Sequence, residues 1–236
     1  MTSKIRWGII GPGGIAKAFR GGVADSQHGV LAAIATRNPD KPNLSTDFPG
    51  VRVVNGYQAL LDDPEIDAVY IAVPHTGHAE WAIKAAEAGK HVLVEKPFAL
   101  SAFEIDAVLH AHRKAGTFAG EAFMYRLHPQ ATQLAELIRS GAIGEVRMIQ
   151  SSFGFSMGTF QPEHRLFASA LAGGGILDVG GYPVSMARFI AGVPAGQIVV
   201  AAMQGDGAAF LTDEAVAGLA SIGSGVDPRE DPARSH

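Results

Sequence analysis

The sequence contains no cysteine, so it cannot build a disulfide framework, a thiolate metal site or a cysteine nucleophile. That absence fits a cytoplasmic protein. It also lacks any cluster of Lys or Arg: 19 basic residues against 23 acidic ones leave a net charge of -4, which argues against nucleic acid or an anionic membrane as a partner. No apolar run reaches the length needed to span a bilayer, and a first strand starting near Lys4 leaves no room for a signal peptide. The expectation is a soluble cytoplasmic chain that handles a small molecule. What the chain does have is apolar material, 47% of 236 residues, enough for one large core or two ordinary ones.

The N-terminus is the most informative stretch. A short apolar run from Ile5 to Ile10 leads into Gly11-Pro12-Gly13-Gly14-Ile15-Ala16, and helix-forming residues follow at once. This order reads as strand, tight turn and helix. Gly11 permits the turn, Gly13 offers no side chain to obstruct a pyrophosphate, and Ala16 is small enough for the helix to approach the strand. Free backbone N-H groups at the helix start, with Gly14 and Ile15 beside them, suit a diphosphate. An ordinary Gly-rich turn is the alternative in a chain with 29 glycines, but the position between a strand and a helix favours dinucleotide binding.

The following residues repeat the alternation. Gly29 to Ala35 is apolar throughout, as a strand buried on both faces should be, and Thr36-Arg37 closes it. At this distance from the Gly-rich turn an acidic residue marks NAD, whereas Arg suits the 2'-phosphate of NADP. Arg37 therefore favours NADP, with NAD as the alternative. Val51–Val54 predicts a strand, Tyr57–Leu61 a short helix, and Ile66–Val73 a strand ending at Pro74-His75-Thr76-Gly77-His78. A helix then runs to about Glu87 and stops at Gly89. His75 and His78 fall beyond a strand's carboxyl end, where ligands bind in a doubly wound sheet. As a metal pair they lack a third ligand at suitable spacing, so no metal is expected.

His91–Val94 predicts a strand ending in Glu95-Lys96-Pro97, Ser101 to Glu104 a capping box, and the helix it opens ends at Gly116. Thr117–Glu121 adds a strand, and Pro129 opens a helix that stops at Gly141. From Glu145 the pattern changes. Val146–Phe155 alternates loosely, and a glycine-rich stretch, Gly173 to Pro183, leads into a helix to about Ile190. Strand-like pieces follow at Ile198–Met203 and Ala215–Leu219. The expected organisation is an α/β chain: a Rossmann doubly wound parallel sheet over 1–123, a C-terminal α+β domain with a truncated mixed or antiparallel sheet over 124–222, and a loose tail over 223–236.

The N-terminal glycines, Glu95-Lys96-Pro97 and the Gly173 to Pro183 stretch, taken together, resemble the glucose-fructose oxidoreductase and inositol dehydrogenase (Gfo/Idh/MocA) family. The segment Glu121-Ala122-Phe123-Met124-Tyr125-Arg126-Leu127-His128-Pro129-Gln130 narrows the resemblance to the branch of dimeric dihydrodiol dehydrogenase and NADP-dependent D-xylose dehydrogenase. The resemblance implies an oxidoreductase moving a hydride between nicotinamide and a CH-OH group of a sugar or cyclic diol. It implies Lys96 as catalytic, with Asp178 and Tyr182, and a place for His78 beside the cofactor. A Tyr near its ordinary pKa of about 10 is a poor base, and a nearby ammonium favours the phenolate. Tyr182 is then the acid/base, Lys96 tunes it, and Asp178 positions the substrate or the ammonium.

Asp178 and Tyr182, four apart, share one side if their segment is helical; alternatively Pro183 starts the helix and Tyr182 precedes it. Met124, Tyr125, Phe155 and Arg165 are weaker candidates for the substrate wall, since such residues are more often core or solvated. Members of the family are longer, which implies a missing part of the C-terminal sheet and a weakened homodimer. A non-catalytic cofactor-binding protein or inactive fragment is the alternative to an active enzyme.

Overall fold

A computed structural model of the chain describes residues 4–192. Six parallel strands, β1 (Ile5–Ile10), β2 (Gly29–Thr36), β3 (Arg52–Asn55), β4 (Ala68–Ile71), β5 (His91–Val94) and β6 (Ala119–Glu121), form one sheet in the order β3-β2-β1-β4-β5-β6. This is the doubly wound order, in which the chain reverses direction across the sheet between β1 and β4. The helices between strands are α1 (Gly14–Asp25), α2 (Leu44–Asp47), α3 (Tyr57–Leu61), α4 (His78–Glu87) and α5 (Ala102–Ala115).

Both faces of the sheet are buried, which is why the strands read as unbroken apolar runs. On one face Ile10, Ala35, Val69, Ile71, Val92 and Val94 pack against Leu60 and Leu61 of α3, Ala82 and Ala85 of α4 and Val108 of α5. On the other, Ile9, Ile34 and Tyr70 pack against Ala16 of α1 and Leu44 and Phe48 around α2. The alternation along β4 is plain: Val69 and Ile71 go one way and Tyr70 the other. Ala16 is fully buried, so the close helix approach expected of a small residue is what forms.

The chain divides into two compact units. Of the described residues, the first unit holds 4–124 and 170–172, and the second holds 125–169 and 173–192. The described part of the second unit contains α6 (Pro129–Arg139), a π-helical turn (Ile176–Gly180) and α7 (Gly181–Ala191). Pro129 opens α6 and Gly141, with φ +75°, follows its end, as their residue types require.

Two local expectations change. Val146–Phe155 forms no strand in the structure. The strand-like pieces expected at Ile198–Met203 and Ala215–Leu219 lie outside the described residues, as does the tail over 223–236. The capping box is displaced by one residue on one side. Ser101 Oγ accepts from Glu104 N (3.2 Å), but the Glu104 carboxylate takes the N-H of Leu100 (2.7 Å) in place of that of Ser101.

Candidate functional site

The Gly-rich turn sits at the carboxyl end of β1, at the switch point. Gly11 has φ +97°, and a Cβ there would lie 2.8 Å from the Ala72 carbonyl oxygen, so the fold itself demands glycine. Gly13 and Gly14 differ from it. A Cβ on Gly13 meets only Ala72 O, at 3.9 Å, and one on Gly14 meets nothing within 4 Å. Among the described residues nothing requires these two glycines, and the bare backbone they leave at the start of α1 fits a diphosphate. Ile15 is 38% exposed beside them.

At the end of β2, Thr36 is buried and its hydroxyl accepts from Asn38 N (3.1 Å), which fixes the turn after the strand. Arg37 is exposed, with its guanidinium 5.8 Å from the centre of the Tyr57 ring. The turn brings in a residue that sequence reasoning missed: Lys41 Nζ donates to Pro12 O (3.2 Å). Two cations from the β2–α2 segment therefore flank the region, Lys41 on the Gly-rich turn itself. Spacing alone could not indicate Lys41, because its approach depends on how the segment folds back over β1.

The end of β4 carries Pro74, His75 and His78. His75 is partly exposed, its Nδ1 lies 3.5 Å from Ala172 O, and its ring meets that of His78 edge-on at 5.7 Å between centres. His78 opens α4 and is fully buried, with Nδ1 2.7 Å from Pro97 O and Nε2 2.9 Å from Val73 O. Both of its ring nitrogens are thus turned to backbone carbonyls, one of them in the loop that carries Lys96. Among the described residues no cluster of three His, Asp or Glu suits a metal ion.

That loop is gripped from several sides. Glu95 accepts from Lys96 N (3.3 Å) and from the hydroxyl of Tyr70, which is itself stacked on Phe19 at 4.0 Å. Glu121 Oε1 accepts from Phe98 N (2.9 Å). Neither Tyr70 nor Glu121 was singled out for this from sequence; their signal is that Tyr70 lies on β4, next to β1, and Glu121 ends β6, three strands from β1. Lys96 is itself engaged in a further interaction.

In the second unit the π-helical turn runs straight into α7. Asp178 and Tyr182 therefore lie on one continuous helical path, as the first of the two sequence alternatives supposed. Pro183 stands at the third position of α7 and has no N-H to donate back into the π-helical turn. Asp178 is 8% exposed and its Oδ1 accepts from Arg165 Nη1 (3.3 Å), so Arg165 belongs with Asp178. Gly173 makes this possible: a Cβ there would meet Arg165 O and the Ala168 backbone at 2.9 Å. Tyr182 is flanked by Phe153 and Tyr125, with ring centres 5.0 and 6.2 Å away. The Tyr125 hydroxyl donates to Ser185 Oγ (2.7 Å), one turn along α7, and Arg126 Nε donates to the same oxygen (3.1 Å). Phe153 and Ser185 were not foreseen. Phe155 and Met124 are 56% and 62% exposed. No helix of the described residues is long and apolar enough to cross a membrane.

Comparison with known proteins follows this geometry. Residues 5–123 match the Gfo/Idh/MocA family profile described as "Oxidoreductase family, NAD-binding Rossmann fold". Residues 131–227 match the profile for the C-terminal domain of the same family. D-xylose 1-dehydrogenase (NADP(+)) 2 of Haloferax volcanii is 42% identical over 190 residues, covering 80% of this chain and 58% of the relative. Mouse (Mus musculus) trans-1,2-dihydrobenzene-1,2-diol dehydrogenase is 32% identical over 191 residues, 80% of this chain and 56% of the relative. The crystal structure of an aldose-aldose oxidoreductase from Caulobacter crescentus, complexed with glycerol, superposes with a TM-score of 0.73 at 30% identity, over 80% of this chain and 58% of that one. The chain thus spans just over half the length of the curated relatives it matches.

Proposed function

The chain belongs to the Gfo/Idh/MocA family of oxidoreductases, in the branch of the xylose and dihydrodiol dehydrogenases, and from that premise we propose that it is an NADP-dependent oxidoreductase. Its substrate on this reading is a CH-OH group of a sugar or cyclic diol. The observation that carries the cofactor part is the bare backbone of Gly13 and Gly14 at the start of α1, with Lys41 donating to Pro12 O beside it. Lys41 and the exposed Arg37 supply the positive charge that a 2'-phosphate would meet and that the ribose hydroxyls of NAD would not need.

Bound at the Gly13–Gly14 backbone, the nicotinamide cofactor would supply the hydride acceptor in its oxidised form and the hydride donor in its reduced form. The chain's own residues handle the proton. Tyr182 takes the hydroxyl proton as the carbonyl forms, Lys96 favours the phenolate that does so, and Asp178, held by Arg165, orients the substrate. His78 acts through the loop it holds. The cysteine-free composition suits a cytoplasmic setting. Spectrophotometry of NADPH with D-xylose, D-glucose and a trans-dihydrodiol tests the whole reading. Turnover supports it, whereas tight NADPH binding with no turnover would favour a cofactor-binding protein without catalysis.

A further inference from the structure

The segment that carries Lys96 owns few backbone donors. Pro97 has no N-H, so residues 96 to 98 have two, and both go to carboxylates: Lys96 N to Glu95 Oε2 (3.3 Å) and Phe98 N to Glu121 Oε1 (2.9 Å). Where these carboxylates stand therefore bears on where the segment stands. Glu95 follows β5 and keeps its own N-H on Ile71 O of β4 (3.0 Å), while its second oxygen, Oε1, accepts from the Tyr70 hydroxyl. One carboxylate thus joins the phenol of β4 to the peptide of Lys96.

Tyr70 is suited to holding that carboxylate. It is buried, and its ring lies almost parallel to that of Phe19 on α1, 9° between planes and 4.0 Å between centres, while Trp7 of β1 meets Phe19 edge-on at 5.2 Å. A stack that spans β1, α1 and β4 fixes the phenol, and its oxygen with it. A glutamate at a strand end has several side-chain torsions to restrain, and a donor on a fixed ring restrains them. We infer that Tyr70 is a positioning residue, whose hydroxyl orients the Glu95 carboxylate and, through it, the peptide of Lys96. For its effect on catalysis the inference rests on the function proposed above; for the placement of Lys96 it does not.

The same contacts reach the Gly-rich turn. Phe19 lies on the helix whose start carries the bare Gly13-Gly14 backbone, so the path from that turn to Lys96 runs through Phe19, Tyr70 and Glu95. Removing the hydroxyl alone leaves the stack in place and breaks the path at one point. A tyrosine that served only the core could lose that hydroxyl with no effect at residue 96.

The test is Tyr70→Phe, which keeps the ring and removes the hydroxyl, read first by amide hydrogen exchange of the full chain without cofactor. The Lys96 N-H should exchange about tenfold faster, while the Phe98 N-H, held by Glu121, keeps its parent rate. An unchanged rate at Lys96, or the same acceleration at Phe98, would overturn the inference. In turnover Tyr70→Phe should lower kcat about tenfold with KM little changed, since a displaced Lys96 weakens the transition state and not substrate binding. In a Glu95→Ala background the same substitution should lower kcat no further, because the hydroxyl acts through that carboxylate. Losses that simply add would overturn that route, and an unchanged kcat beside faster exchange at Lys96 would overturn the catalytic part. Should the parent turn over no sugar or diol, the proposed function fails, and the exchange rates still decide whether Tyr70 positions Lys96.

Discussion

Lys41 Nζ donates to Pro12 O across 3.2 Å, so an ammonium from the segment after β2 rests on the turn after β1. With Arg37 nearby in sequence it gives the adenosine end of the proposed site two cations. Lys41→Ala and Arg37→Ala should each weaken NADPH binding about tenfold, the loss of one charge-assisted hydrogen bond, and leave NADH binding unchanged. Fluorescence titration with both cofactors reads this. Equal losses for the two nucleotides would show that neither side chain meets a 2'-phosphate.

The glycines of the turn should separate stability from binding. Gly11→Ala puts a Cβ against Ala72 O at positive φ and should cost about 1–3 kcal/mol of stability. Gly13→Val has room in the protein, so its melting temperature should stay near that of the parent while NADPH affinity falls by about tenfold or more for each backbone hydrogen bond lost. Thermal melts with and without NADPH distinguish the two, and a Gly13→Val protein that binds normally would count against a diphosphate at this turn.

Tyr182→Phe and Lys96→Met should lower kcat by about 10²–10⁴-fold, the range for removing a positioned proton-transfer group, with NADPH affinity retained. Near-normal turnover of either variant would take that residue out of the mechanism.

Acid should weaken the first unit in two stages. Burial lowers the His112 imidazole below its ordinary 6.5, so the unfolded chain takes up the proton first. The stability held by the neutral ring is whole above about pH 6.5 and declines as pH falls toward the lower folded value. Asp67, hydrogen-bonded by Arg6, is held down at about 2 from an ordinary 3.8, so its contribution persists above 3.8 and is lost as pH falls through about 2. Melting temperature against pH should show both losses, and His112→Gln should remove only the first.

The elements that sequence made legible are those governed by neighbours along the chain. Gly11 at its turn, Gly89 and Gly116 closing α4 and α5 at positive φ, and the apolar strands all follow from residues a few positions apart. The pair Asp178 and Arg165 was visible only as two separate candidates, because their contact depends on Gly173 letting the chain fold against 165–168. Lys41 on Pro12 O and His78 between two carbonyls were invisible for the same reason. Such contacts join strand ends separated by 19 to 29 residues, and what decides them is the sheet order. Val146–Phe155 shows the converse: loose alternation along the chain did not suffice to make a strand there.

The wide turn at Ile176–Gly180 sets how tolerant the second unit is of changes in length. Along a regular helix each residue advances the side chain by about 100°, so removing one residue from this turn would swing everything before it by about that angle relative to Tyr182. A deletion at any position of the turn other than Asp178 would then change the angle between Asp178 and the phenol, although both residues would still be present. Substitutions at 176, 177, 179 and 180 should be milder than a single deletion among them, because this part of the chain keeps its alignment by counting residues.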